Sequence, residues 1–87
     1  MNESNTAVII GGGIMGSDIA AIFFAAGWNT QVVETNPAAR GQLETAVPAA
    51  AKVAGIDHAG GSVRALASLS EIDWTGARLV IECVSEN

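Results

Sequence analysis

Three glycines spaced two and three residues apart, and a carboxylate 18 residues further on, are the features of this 87-residue chain most able to do chemistry. The run Gly11-Gly12-Gly13-Ile14-Met15-Gly16 contains G-x-G-x-x-G, with Gly11, Gly13 and Gly16 in the three positions. Glycine in the first position permits a tight turn out of a strand. In the second, the missing Cβ lets the backbone approach a diphosphate. In the third, it lets a helix lie close to the strand. The amides of Ile14 and Met15 then stand at a helix N-terminus, which carries roughly half a positive charge and attracts an anion. Glu34 is placed to accept hydrogen bonds from the two hydroxyls of an adenosine ribose. Its charge repels a 2′-phosphate, which favours NAD over NADP. The chemistry-free alternative is a glycine turn serving strand-to-helix packing alone, with Glu34 a solvated acid. Asp18 lies close to the anion position and is expected to face solvent.

The dinucleotide reading requires a strand before the glycines, a helix after them and a second strand ending at the acid. Residues 6–10 (T-A-V-I-I) form a nearly continuous apolar run, as in a strand buried on both faces. Residues 14–26 carry helix periodicity, with Met15, Ile19, Ile22, Phe23 and Ala26 on one face. Gly27 follows where a left-handed cap is expected. Residues 30–33 form a second short strand, completing a unit of βαβ size. Asn36 and Pro37 read as the N-cap and first residue of a second helix running to about Val47. Pro48 is expected to kink or split it, with a short helix resuming over 49–54. Beyond a loop at 56–62, residues 63–66 form a weak third strand. Ser68 and Glu71 have capping-box spacing for a helical turn, 73–76 turn the chain, and 79–84 form a fourth strand. Alternating strands and helices imply a mostly parallel α/β sheet with right-handed crossovers.

Composition removes other classes. The chain is 49% apolar and 15% charged, with a formal charge of −5, too apolar for a disordered segment and too acidic for a nucleic-acid ligand. Its longest apolar stretch, 19–26, falls well short of the ~20 residues that span a bilayer, and the polar N-terminus lacks a secretory layout. The single Cys83 forms no internal disulfide, which points to a reducing, cytoplasmic setting. Sixteen alanines bury little area each, so the chain is expected to be marginal alone unless it self-associates or belongs to something longer. His58, beside Asp57, reads as a solvated loop histidine, and Cys83 as a buried inert thiol. Glu82 is expected to cap a neighbouring backbone group. Trp28 and Trp74 read as packing lids. Arg40, Arg64 and Arg78 read as surface charge, with Arg40 near enough to Glu34 to approach an adenine edge.

The segments A-V-I-I-G-G-G-I-M-G-S-D-I-A, F-F-A-A-G-W, V-V-E-T-N-P and L-V-I-E-C-V-S-E-N together resemble the N-terminal NAD-binding domain of the 3-hydroxyacyl-CoA dehydrogenases. The resemblance spans 6–87 and is weakest over 36–62. The pairing of G-x-M-G with a terminal I-E-x-V-x-E is more specific than the glycines alone. The resemblance implies a Rossmann-type doubly wound parallel sheet, here incomplete, of about four strands in the order 3-2-1-4. It implies that Gly11, Gly13 and Gly16, with the Ile14 and Met15 backbone, hold the pyrophosphate of NAD, that Glu34 holds the adenosine ribose, and that Val84 and Glu86 lie along the nicotinamide ribose. The reaction implied is hydride transfer between NAD and the 3-hydroxyl of an acyl-CoA. In that family the catalytic His–Glu pair and its Ser and Asn helpers lie downstream of the matched segment. Residues 1–87 are therefore expected to be an N-terminal portion of the domain, inactive alone, with acyl-CoA a partner only of a longer parent. Two other readings stand beside it: a dehydrogenase of carnitine or another 3-hydroxy acid, and a non-catalytic nucleotide-binding module. The exposed edge of the fourth strand leads to an expectation of homo-oligomers.

Overall fold

The computed structural model describes residues 5–11, 14–53 and 61–83. The elements run β1 (Thr6–Ile10), α1 (Ile14–Ala25), β2 (Asn29–Val33), α2 (Pro37–Val53), β3 (Ser62–Leu66), a 3₁₀ turn (Leu69–Glu71) and β4 (Ala77–Glu82). The four strands form one sheet in the order β3-β2-β1-β4, and all pairings are parallel. Thr6 pairs with Asn29 and Ile10 with Val33, while Asn29 pairs with Ser62 and Val33 with Leu66. Between β1 and β4 the register shifts: Thr6 pairs with Ala77 but Ala7 with Leu79, leaving Arg78 as the extra residue of a bulge.

Side chains alternate across the sheet, so each strand feeds two cores. On one face Ile9 and Val32 pack with Ala20, Ala21 and Ala25 of α1 and with Leu43, Val47 and Ala51 of α2. On the other, Val8, Val33 and Leu66 pack with Ile72, which follows the 3₁₀ turn. Burial of β1 from both sides explains its continuous apolar run. Thr30 shares the helix-covered face with Val32, and its Oγ1 is buried with no hydrogen-bond partner among the described residues. Thr30→Val keeps the shape and removes the unsatisfied hydroxyl. It is expected to raise stability by about 1 kcal/mol, read as a higher urea midpoint; an unchanged or lower midpoint contradicts the assignment.

Helix ends follow local chemistry. Gly27 adopts φ 89°. The Trp28 N–H donates to the Phe23 carbonyl and the Gly27 N–H to the Phe24 carbonyl, both at 3.0 Å, the paired bonds of a Schellman cap. The hydrophobic contact that accompanies such a cap is made by the Phe23 and Trp28 rings, edge to face at 5.0 Å. At the start of α2, Asn36 Oδ1 accepts from the N–H groups of Ala38 (2.9 Å) and Ala39 (3.3 Å), with Pro37 as the first helical residue.

Four sequence expectations are corrected. The core face of α1 consists of small residues, Ala20, Ala21 and Ala25, while Ile22 is 65% exposed. This helix is apolar on all sides, so periodicity alone does not select a face. Helix α2 continues through Pro48 to Val53 without a break. Leu43, Val47 and Ala51 repeat every four residues on its buried face, so packing on both sides of Pro48 offsets the one lost backbone bond. Ser68 gives no side-chain cap to the 3₁₀ turn; its hydroxyl meets that of Ser70, and Glu71 reaches past Ser68 to accept from the Ala67 N–H at 3.1 Å. Strand β4 starts at Ala77 rather than Leu79 because Ala77 already pairs with Thr6, and it ends at Glu82.

Candidate functional site

Because all four strands are parallel, their carboxyl ends gather at one edge. The residues just past three of them remain tied across the sheet. The Gly11 N–H donates to the Val33 carbonyl (2.9 Å), the Glu34 N–H to the Leu66 carbonyl (2.9 Å), and the Cys83 N–H to the Ile10 carbonyl (2.7 Å). Gly11, Glu34 and Cys83 therefore stand in one row. The strand order reverses here, since β1 leads through α1 to β2 on one side while β4 lies on the other. Ligands of open α/β sheets bind at this kind of switch point.

The two described ends of the glycine turn, Gly11 and Gly16, are tightly constrained. Gly11 takes φ 98°, a conformation that L side chains rarely adopt. A Cβ added to Gly16 would run into the Gly11 carbonyl oxygen and stand 3.1 Å from its carbonyl carbon and 3.6 Å from Ile9 Cγ2. The first turn of α1 is thus pressed against the end of β1. The helix begins at Ile14, so the Ile14 and Met15 amides lie in the turn where no intrahelical acceptor exists. Asp18 is the fifth residue of the helix and is exposed, as expected.

Glu34 sits immediately after β2 and is half-buried. Its Oε2 accepts from the Asn36 N–H at 2.9 Å, and its carbonyl accepts from Arg40 Nη1 at 3.0 Å. Arg40 is thus half-buried against the connection from β2 to α2 rather than a free surface charge. Gly13, Val84, Glu86 and His58 lie outside the described residues, as do the side chains of Ile14 and Met15.

Other expectations change. Cys83 is half-buried and lies past the end of β4, at the row of strand ends, rather than inside the strand. Glu82 is exposed, and among the described residues its carboxylate caps no backbone group. Trp28 packs as expected, but Trp74 is 54% exposed and covers little.

Two features had no sequence signal. A Cβ on Gly61 would run into the Phe24 carbonyl oxygen, so the chain enters β3 directly against the backbone of α1. Gln31, buried in β2, donates from Nε2 to the Asp73 carbonyl (2.7 Å) and accepts from the Asp73 N–H at Oε1 (2.9 Å). These partners are 42 residues apart. Asp73 is in turn held below the usual carboxylate range by the Thr75 backbone N–H and then the Thr75 hydroxyl. A depressed pKa stabilises the fold above the ordinary carboxylate value, and that contribution is lost as pH falls through the lowered one. Asp73→Asn is expected to lower the Tm at neutral pH and converge with the parent chain below about pH 4. A constant difference at all pH values contradicts this.

A cavity of about 510 Å³ opens at the opposite, amino-terminal end of the strands, between Thr6, Asn29, Ser62, Arg64 and Asp73. It is remote from the glycine turn. Asp73 already engages both amide atoms of Gln31, and Asn29 Oδ1 accepts from the Ser62 hydroxyl at 2.8 Å. The strand carboxyl ends, which carry the helix N-terminus, the positive-φ glycine and the acid, are therefore the better candidate site.

A parallel 3-2-1-4 sheet with a glycine turn into α1 and an acid after β2 defines a Rossmann-type dinucleotide-binding domain. Residues 6–87 match the family model described as 3-hydroxyacyl-CoA dehydrogenase, NAD binding domain. The chain belongs to that family, which is a family of NAD-binding domains. A search of curated proteins returned no match.

Proposed function

We propose that this chain is the NAD-holding part of an oxidoreductase that transfers hydride between NAD and the 3-hydroxyl of an acyl-CoA. The observation that supports it most is the contact of Gly16 with the Gly11 carbonyl, in line with Glu34 on the next strand end. Gly11, Gly13 and Gly16 leave room for the diphosphate, the Ile14 and Met15 amides bind it, and Glu34 binds the adenosine ribose. Val84 and Glu86 follow β4 and would run along the nicotinamide ribose. NAD, when bound, supplies the hydride acceptor; the chain's own residues bind and orient it. The single Cys83 is consistent with a reducing, cytoplasmic setting. No helix among the described residues is long and apolar enough to cross a membrane.

Self-association is part of the proposal. Among the described residues strand β4 is a sheet edge, with Leu79 and Val80 exposed, whereas the Ala65 N–H of the other edge strand is covered by Glu44 Oε2 at 3.0 Å. Light scattering at high concentration is expected to show dimers or larger species; a monodisperse monomer contradicts it. The binding reading is tested by calorimetric titration of the folded chain with NAD and NADP. NAD is expected to bind weakly and NADP more than about tenfold more weakly, through like-charge repulsion at Glu34. A folded chain that gives no heat with NAD overturns the reading.

A further inference from the structure

Arg40 has a geometry that the NAD reading of the site leaves unused. It stands in the first turn of α2, with its backbone N–H on the Asn36 carbonyl at 2.9 Å. Its side chain turns back across the β2–α2 connection, where Nη1 donates to the Glu34 carbonyl at 3.0 Å in a half-buried contact. Glu34 is thereby held through three of its groups: its N–H to Leu66, its carbonyl to Arg40, and its carboxylate to the Asn36 N–H. A guanidinium carries five N–H donors in a rigid plane, and a single carbonyl oxygen uses one of them. A permanent cation and a carboxylate thus share one turn of chain beside the position assigned to the adenosine ribose.

We infer that Arg40 is a positioning and specificity-determining residue for the adenosine end of the coenzyme. It fixes the main chain of Glu34, so that the carboxylate meets the ribose hydroxyls. Coenzyme choice then rests on the balance of two opposite charges. With Glu34 ionised, a 2′-phosphate meets the nearer negative charge and is rejected. With that charge removed, the same phosphate meets the Arg40 fork, which suits phosphate geometry. The inference rests on the NAD reading above.

The test is a set of calorimetric titrations of the chain and its variants with NAD and NADP. Glu34→Gln is expected to raise the ratio of NADP to NAD affinity by about tenfold or more. Glu34→Gln with Arg40→Gln, which keeps a donor for the Glu34 carbonyl but removes the charge, is expected to return that ratio towards the parent value. A purely structural role for Arg40 would weaken both coenzymes equally and leave the ratio where Glu34→Gln put it, which would overturn the inference while the NAD reading stands. Arg40→Lys, which retains charge but not the planar fork, is expected to fall between. If the parent chain binds neither coenzyme, the NAD reading fails first and this inference with it.

Discussion

Gly16→Ala is expected to destabilise the domain by about 3 kcal/mol and to abolish measurable NAD binding, although the substitution adds one methyl group. In an exposed helix the same change stabilises, because alanine loses less backbone entropy on folding. Here the new Cβ falls on the Gly11 carbonyl oxygen, a backbone atom. That carbonyl belongs to a residue already committed to φ 98° and hydrogen bonded through its N–H to Val33, so it has little freedom to move aside. Relief requires α1 to lift from β1, which loosens Ala20 and Ala21 from Ile9 and moves the helix N-terminus away from the strand ends. Gly41 is the control. It lies exposed within α2, and a Cβ there meets nothing within 4 Å, so Gly41→Ala is expected to stabilise by about 0.5–1 kcal/mol. Urea unfolding of the two variants measures both signs. Equal effects at Gly16 and Gly41 would contradict the close approach of α1 to β1.

Glu34→Ala is expected to weaken NAD binding by about 10- to 100-fold, the scale of hydrogen bonds made to a charged group. Stability should change far less. The carboxylate's bond to the Asn36 N–H is exposed, and the start of α2 keeps its Asn36 side-chain cap. The signature is therefore a large loss of affinity with a Tm close to that of the parent chain, the reverse of the pattern for residues that pack the core. Unchanged affinity for NAD, or a loss of binding that tracks a loss of fold, would count against Glu34 as the ribose acceptor.

The parts of this fold legible from sequence are those set by local chemistry. Asn36 caps and Pro37 begins α2, and Gly27 ends α1, because each residue type satisfies a backbone need within a few positions of itself. Strand β1 was legible because burial on both faces demands an unbroken apolar run. The glycine turn was legible because Gly11 and Gly16 meet across five residues of chain. What stayed hidden depends on distant partners. Nothing near Gln31 announces that its amide clasps the backbone of Asp73, and nothing near Gly61 shows that the Phe24 carbonyl lies against it. The orientation of α1 was hidden for another reason: it is apolar all round, and only its neighbours select the alanine face over Ile22. The break expected at Pro48 does not occur because the rule for proline is local, whereas the anchoring of α2 by Leu43, Val47 and Ala51 is tertiary.

The proposal puts NAD at the carboxyl ends of the strands and not in the cavity at their other end. Two-dimensional NMR of the ¹⁵N-labelled chain titrated with NAD tests this most directly. Saturable shifts are expected in the backbone amides of Gly11, Met15, Gly16, Glu34 and Cys83, with Asn29, Ser62, Arg64 and Asp73 unmoved. Shifts confined to the second group, or none in a chain whose spectrum is that of a folded protein, would contradict it.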